Sequence, residues 1–155
     1  KTAYEIRPRD WSSDVCSSDL RLRIDPTGGF CQFSFADPNP AISWAVLDHE
    51  RVPKLGYAAL RDSCRSVLPM LEPREGLVHV ANETGARLRD ARITVRIDDR
   101  EHVFAGDVEP RGLTFVGRVG AVAGAERAEV LLEHAGGRVE HRYDLLLPWL
   151  GLDAR

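Results

Sequence analysis

The chain has 155 residues, 43% of them hydrophobic and 29% charged, with a formal net charge of −3. That balance is ordinary for a globular chain of about one domain, on the usual scale of roughly 100–200 residues per domain. No basic block marks a nucleic acid or an anionic membrane as partner, and no apolar run is long enough to span a bilayer.

The first 20 residues differ in style from the rest. Ser-Ser-Asp occurs twice in WSSDVCSSDL, around Cys16. Such text can cap a helix or form a polar tail, and two copies are too few for a solenoid. After Leu20 serine thins out, Arg, Ala, Val and Gly dominate, and Lys54 is the sole lysine. Residues 10–20 resemble, without a mismatch, the in-frame translation of a common short-read sequencing adapter, and residues 1–6 resemble that of its flow-cell primer. Residues 1–20 are therefore expected to be an adapter-derived, disordered segment and are set aside from fold and function. The protein's own start is expected to lie upstream.

Residues 21–71 read as an αβ segment. FCQFSFA (30–36) has strand length and is stopped by Asp37-Pro38-Asn39-Pro40, because proline removes a ladder donor and restricts its neighbours. AISWAVLD (41–48) is a second short apolar run. Pro53 sits where helices start, and KLGYAALRDSCRSVLPML then carries helical spacing, which predicts one helix ended by Pro69 and Pro73. Lys54 at a helix start opposes the helix dipole and is expected to pair with a nearby carboxylate or with a neighbour missing from this segment. Cys31 and Cys64 are expected to be buried thiols.

From Glu75 the period becomes two. GLVHVAN, ARITVRID, EHVFAGDV, LTFVGRVG, AEVLLEH and VEHRYDLLL read as six short strands between turn signals, with Gly136-Gly137 as a hairpin turn. Ile93, Val95, Val130, Leu132 and Tyr143 are the expected core. Residues 72–155 thus predict a β-sandwich. One strand and one helix cannot bury their own apolar faces, so residues 21–71 read as a fragment of something larger.

The run FSFADPNPAISWAVLDHERVPKLGYAAL resembles the end of the catalytic barrel in glycoside hydrolase family two, in its β-mannosidase-like branch. That family's last barrel strand ends in aromatic-x-x-Asn-Asp, followed by Ser-Trp-x-x-(Ile/Leu)-Asp and Arg-x-Pro-Lys-x-x-Tyr. Phe33, Asp37, Ser43, Trp44, Asp48, Arg51, Pro53, Lys54 and Tyr57 fall in step, while Ala36 replaces the usual Asn and Phe33 the usual Trp. The resemblance implies a mainly β chain: an immunoglobulin-like β-sandwich (72–155) preceded by the last β/α unit of a truncated TIM barrel (21–71). It also implies the C-terminal part of a retaining exo-β-glycosidase that acts on a carbohydrate without metal, nucleotide or other cofactor. A non-catalytic sandwich that binds carbohydrate or a protein partner is the alternative.

Retaining glycosidases need two carboxyl groups about 5–5.5 Å apart across the scissile bond. In the resembling family both are glutamates on earlier barrel strands, which these residues lack, so no catalytic residue is expected here. What the resemblance implies instead is part of a sugar-binding floor: Phe33 as a stacking face, Asp37 as an acceptor of sugar hydroxyls, and Trp44 in the following loop. Packing roles compete for Phe33 and Trp44. Asp48 and Arg51 read as a loop-fixing ion pair. The five histidines show no metal spacing and read as surface or hydrogen-bonded side chains, and Asn82-Glu83-Thr84, though a glycosylation sequon, reads as a turn.

Overall fold

The computed structural model describes residues 34–145, apart from Ile42. The adapter-like residues 1–20, Cys31, Phe33 and most of the strand expected over 30–36 lie outside them. The chain divides into two compact units, Lys1–Cys64 and Arg65–Arg155.

In the first unit, the described residues form a looped segment and one helix, α1 (Leu55–Ser63). Ala36 makes a parallel bridge with Leu47, and Leu47 an antiparallel one with Pro53. The segment between them is thus folded back on itself, and Ala45 and Val46 are buried within it.

The single helix expected through KLGYAALRDSCRSVLPML is corrected by the structure. The helix stops at Ser63, and Val67–Glu72 is a strand, β1. Five successive apolar residues fit either period, so spacing alone could not separate them. Pro69 is tolerated because β1 lies at a sheet edge, where one side of the strand needs no ladder donor.

The second unit is a β-sandwich of two antiparallel sheets. Six further strands follow β1: β2 (Leu77–Asn82), β3 (Leu88–Ile97), β4 (Arg100–Val108), β5 (Gly112–Arg118), β6 (Arg127–His134) and β7 (Gly137–Asp144). One sheet has the order β1-β2-β5 and the other β4-β3-β6-β7. All six strands read from alternation are present, and β1 makes the seventh among the described residues.

Alternation explains the core. Ile93 pairs with Leu132 and Phe104, Val95 with Val130 and His102, and Ile97 with Ala128, so these side chains share one face of the larger sheet. Ile93, Val95, Val130, Leu132 and Tyr143, the expected core, are all buried. Fully burying a Val, Leu or Ile side chain stabilises by about 1.5–3 kcal/mol each, which makes this face the main source of cohesion. On the opposite face Arg96 bonds Glu101 at 2.9 Å and Glu129 at 3.2 Å, and Arg142 bonds Glu129 at 3.1 Å. The arginines there meet glutamates across the strands instead of forming a basic patch.

The smaller sheet is buried on both faces of β1 and β2. Leu71, Val78 and Val80 lie on one face, and Leu68, Met70, His79 and Ala81 on the other, all of them buried. Val78 pairs with Gly117, where an added Cβ would come 2.4 Å from the Phe104 ring of β4. That face therefore meets the larger sheet.

The turns use the expected chemistry. Ala135 and Gly136 connect β6 to β7, close to the Gly136-Gly137 turn read from sequence. Between β1 and β2 the Glu72 carboxylate accepts the Arg74 and Glu75 amides at 2.9 and 2.6 Å, and Gly76 takes φ +68°. Asn82 is fully buried: its Oδ1 accepts the Thr84 amide and hydroxyl at 3.1 and 2.6 Å, and its Nδ2 donates to Ala86 O at 2.8 Å. The sequon, read from sequence as a turn, instead runs from the last residue of β2 into the bend that begins at Thr84.

Candidate functional site

The candidate residues lie in the first unit, on the loop between Ala36 and α1. Asp37 follows the bridge residue Ala36, and its amide donates to Leu47 O at 3.1 Å. This main-chain tie turns the carboxylate inward, and Asp37 is only 3% exposed. A buried carboxylate must be neutralised or fully hydrogen-bonded. Here Lys54 Nζ donates to Oδ2 at 2.5 Å, and the Ser43 hydroxyl donates to Oδ1. The Lys54 ammonium first, and the Ser43 hydroxyl second, hold the Asp37 carboxyl below the usual carboxylate range.

Lys54 is the N-cap of α1 and makes no side-chain cap, and the first turn of the helix has no acidic residue. A cation there is unfavourable for the helix unless an anion faces it. The nearby carboxylate expected for Lys54 is Asp37, 17 residues earlier. Pro53 lies one position before the N-cap, rather than in the first turn, and serves the bridge to Leu47.

Asp48 and Arg51 do not form the expected ion pair among the described residues. Asp48 Oδ1 instead accepts the amides of Glu50 and Val52 at 2.9 and 2.8 Å, and the Arg51 amide donates to Asp48 O at 3.1 Å. Arg51 sits at φ +68°, a strained turn position that this capped loop holds in place. Asp48 fixes the loop through its backbone, which a local Asx geometry does at lower entropic cost than a long side chain.

The aromatic candidates separate. Phe33 lies outside the described residues. Trp44 is 72% exposed, and Phe35 and Val52 on the same loop are more than half exposed. Trp44 thus presents most of its side-chain surface outward. Asp37 and Trp44 are brought into one short loop, but facing different ways: the carboxylate is buried and bonded, the indole is presented outward.

The chemistry this allows is limited. Both Asp37 oxygens are committed to cation and hydroxyl donors, so this carboxylate is not poised as a nucleophile, and Asp48 Oδ1 accepts two loop amides. No group of three or more potential metal ligands occurs among the described residues. Cys64 is exposed, which corrects the expectation of a buried thiol. The Asp37–Ser43–Lys54 cluster was legible only in outline: Lys54 at a helix start signalled a carboxylate, and all three positions fell in step with the family pattern, but nothing in the sequence showed that they meet.

In the second unit two histidines depart from the expected surface or satisfied state. His79 is buried, with Nδ1 lacking a hydrogen-bond partner, and stacks at a tilt on Phe115 with ring centroids 5.4 Å apart. Burial pushes the His79 imidazolium to a pKa below its ordinary value, against the opposing influence of Glu72. His102 Nε2 is likewise buried and unbonded.

No family model matches the chain, and no curated protein matches it by sequence. Solved structures do. The exo-chitosanase CsxA of Amycolatopsis orientalis, in complex with PNP-β-D-glucosamine, matches over 89% of this chain with a TM-score of 0.75 at 18% identity. A structure of the same enzyme described as an exo-β-D-glucosaminidase matches with a TM-score of 0.72 at 16% identity. The β-D-mannosidase of Dictyoglomus thermophilum matches over 91% of the chain with a TM-score of 0.67 at 17% identity. This chain spans only 18–19% of the length of those enzymes. It shares the fold of a small, mainly β segment found in exo-acting glycosidases.

Proposed function

We propose that this chain is a C-terminal segment of a retaining exo-β-glycosidase of the family-two type, β-mannosidase-like in its sequence pattern. In this reading residues 21–64 are the last strand, loop and helix of a TIM barrel, and the sandwich is the immunoglobulin-like domain that completes the enzyme. The single observation that carries it is the structural agreement of about nine-tenths of the chain with two glycosidases of different named substrates. The Asp37, Ser43, Trp44 and Lys54 positions of the sequence pattern support the same reading, because three of them form one polar cluster around the buried Asp37 and the fourth is offered outward.

The C-terminal ends of barrel strands line the active site in this architecture. Phe33 and Trp44 would then supply aromatic faces to a sugar. Asp37 would serve the same floor, with its carboxylate already bonded to Lys54 and Ser43. Acid and nucleophile would come from two glutamates on earlier strands, and the segment alone hydrolyses nothing.

Two measurements test this. The genomic sequence upstream of the codon for Arg21 should encode barrel strands carrying Asn-Glu and a second Glu. The purified chain should show no turnover of p-nitrophenyl β-mannoside or β-glucosaminide above a heat-killed control. Turnover abolished by Asp37→Asn or Asp48→Asn would place a complete active site in this chain and overturn the proposal.

A further inference from the structure

Trp44 stands between two residues held by one hydroxyl. Ser43 Oγ donates to Asp37 Oδ1 and accepts the Ala45 amide at 2.9 Å, and Lys54 Nζ lies 3.5 Å from the same oxygen. One donation and two acceptances use the whole capacity of a hydroxyl. Lys54 is fixed in turn, since its ammonium bonds Asp37 and its amide donates to Val46 O at 2.9 Å. Ala45 and Val46 are each 1% exposed. The main chain on both sides of Trp44 is therefore anchored, while the indole is 72% exposed.

A ring on a mobile loop must be ordered when it binds, whereas a ring on an anchored backbone has lost that freedom already. We infer that Ser43, Asp37 and Lys54 are positioning residues that pre-organise the Trp44 indole to stack on the apolar face of a pyranose ring. The identity of the ligand rests on the glycosidase reading above; the clamp rests on the hydrogen bonds alone. A hydroxyl is required at position 43 because the same atom must donate to a carboxylate and accept an amide. Threonine can do this and alanine cannot.

The test uses the full chain with Trp11→Phe and Trp149→Phe, which leaves Trp44 as its only tryptophan. Ser43→Ala and Lys54→Met should each raise the amplitude of the fast, nanosecond decay of Trp44 fluorescence anisotropy roughly twofold. Ser43→Thr should restore the parent decay, and Glu50→Gln should leave it unchanged. If Lys54→Met loses helix by circular dichroism, Ser43→Ala decides, since it removes one hydroxyl only. An unaltered decay in Ser43→Ala overturns the clamp.

A separate arm follows the indole N–H resonance with methyl β-D-mannoside or methyl β-D-glucosaminide added to roughly 100 mM, the range in which weak stacking is visible. The expected result is a saturable shift that falls by at least half in Ser43→Ala. No shift in the parent, with the anisotropy effect intact, overturns the sugar as ligand and leaves the clamp standing.

Discussion

The Leu71 amide of β1 donates to the phenol oxygen of Tyr143 on β7 at 3.0 Å, a hydrogen bond between strands of different sheets. β1 is an edge strand, and the outward amide at Leu71 is buried, so without this oxygen it would be left unsatisfied. The same phenol lies 3.2 Å from His141 Nδ1, which is 3.4 Å from Pro69 O. A tyrosine that closes a sandwich edge in this way contributes through its hydroxyl as much as through its ring. Tyr143→Phe should therefore destabilise the sandwich by about 1–3 kcal/mol, the cost of stranding a buried amide. Urea unfolding monitored by circular dichroism checks this, and an unchanged midpoint would show that the hydroxyl is dispensable.

Gly76 should tolerate no side chain. It sits at φ +68°, and an added Cβ would fall 1.9 Å from the carbonyl oxygen of Gly120, which is backbone and cannot move alone. Its amide and carbonyl are both used, by Glu72 O and the Val119 amide, each at 2.9 Å. Gly76→Ala should cost about 3 kcal/mol or more, in the range of strained-backbone and overpacking substitutions. Gly124→Ala is the control, because it shares positive φ but has open space around it. It should cost less than half as much in the same melt.

His79 should make the sandwich acid-sensitive. Its folded pKa lies below the ordinary value of about 6.5 because burial disfavours the imidazolium. The unfolded chain then binds a proton at a pH where the folded chain does not. The sign follows: the stability is complete above about pH 6.5 and declines as pH falls toward the folded pKa. His79→Leu removes that proton and replaces an unbonded buried nitrogen by carbon. Its melting temperature at pH 7.5 should be at least that of the parent, and its decline between pH 7 and 5 should be shallower. A steeper decline would rule out His79 as the titrating group.

Lys54 should control the ionisation of Asp37. The carboxyl is held low by the Lys54 ammonium and then by the Ser43 hydroxyl, while burial works in the opposite direction. A depressed carboxylate contributes stability that is present above its unfolded pKa and lost as pH falls through the folded one. In the parent the loop should therefore remain ordered below the usual carboxylate range. Lys54→Met removes the largest favourable influence and leaves the desolvation, so Asp37 should take up its proton at a higher pH. The Asp37 carboxyl carbon resonance, followed by NMR against pH, reports both midpoints, and equal midpoints would show that Lys54 does not set the ionisation.

Much of the fold was legible in the sequence. Period-two alternation marked β2 to β7, and the inward set Ile93, Val95, Val130, Leu132 and Tyr143 followed from it directly, because a pleated strand sends alternate side chains to one face. A carboxylate partner for Lys54 was also among the readings that local chemistry offered. Tertiary structure decided what periodicity could not. VLPMLE became strand β1 instead of the end of a helix because a sheet edge accommodates Pro69 and both strand faces are buried. Asp48 turned to its own loop amides in place of Arg51. Asp37 was committed to Lys54, across 17 positions, once the bridges at Leu47 brought the Ala36–Asp37 backbone against the start of α1. Local propensity acts over a few residues. A buried charge is matched by whatever the folded chain brings beside it, and that partner is set by bridges and packing far apart in the sequence.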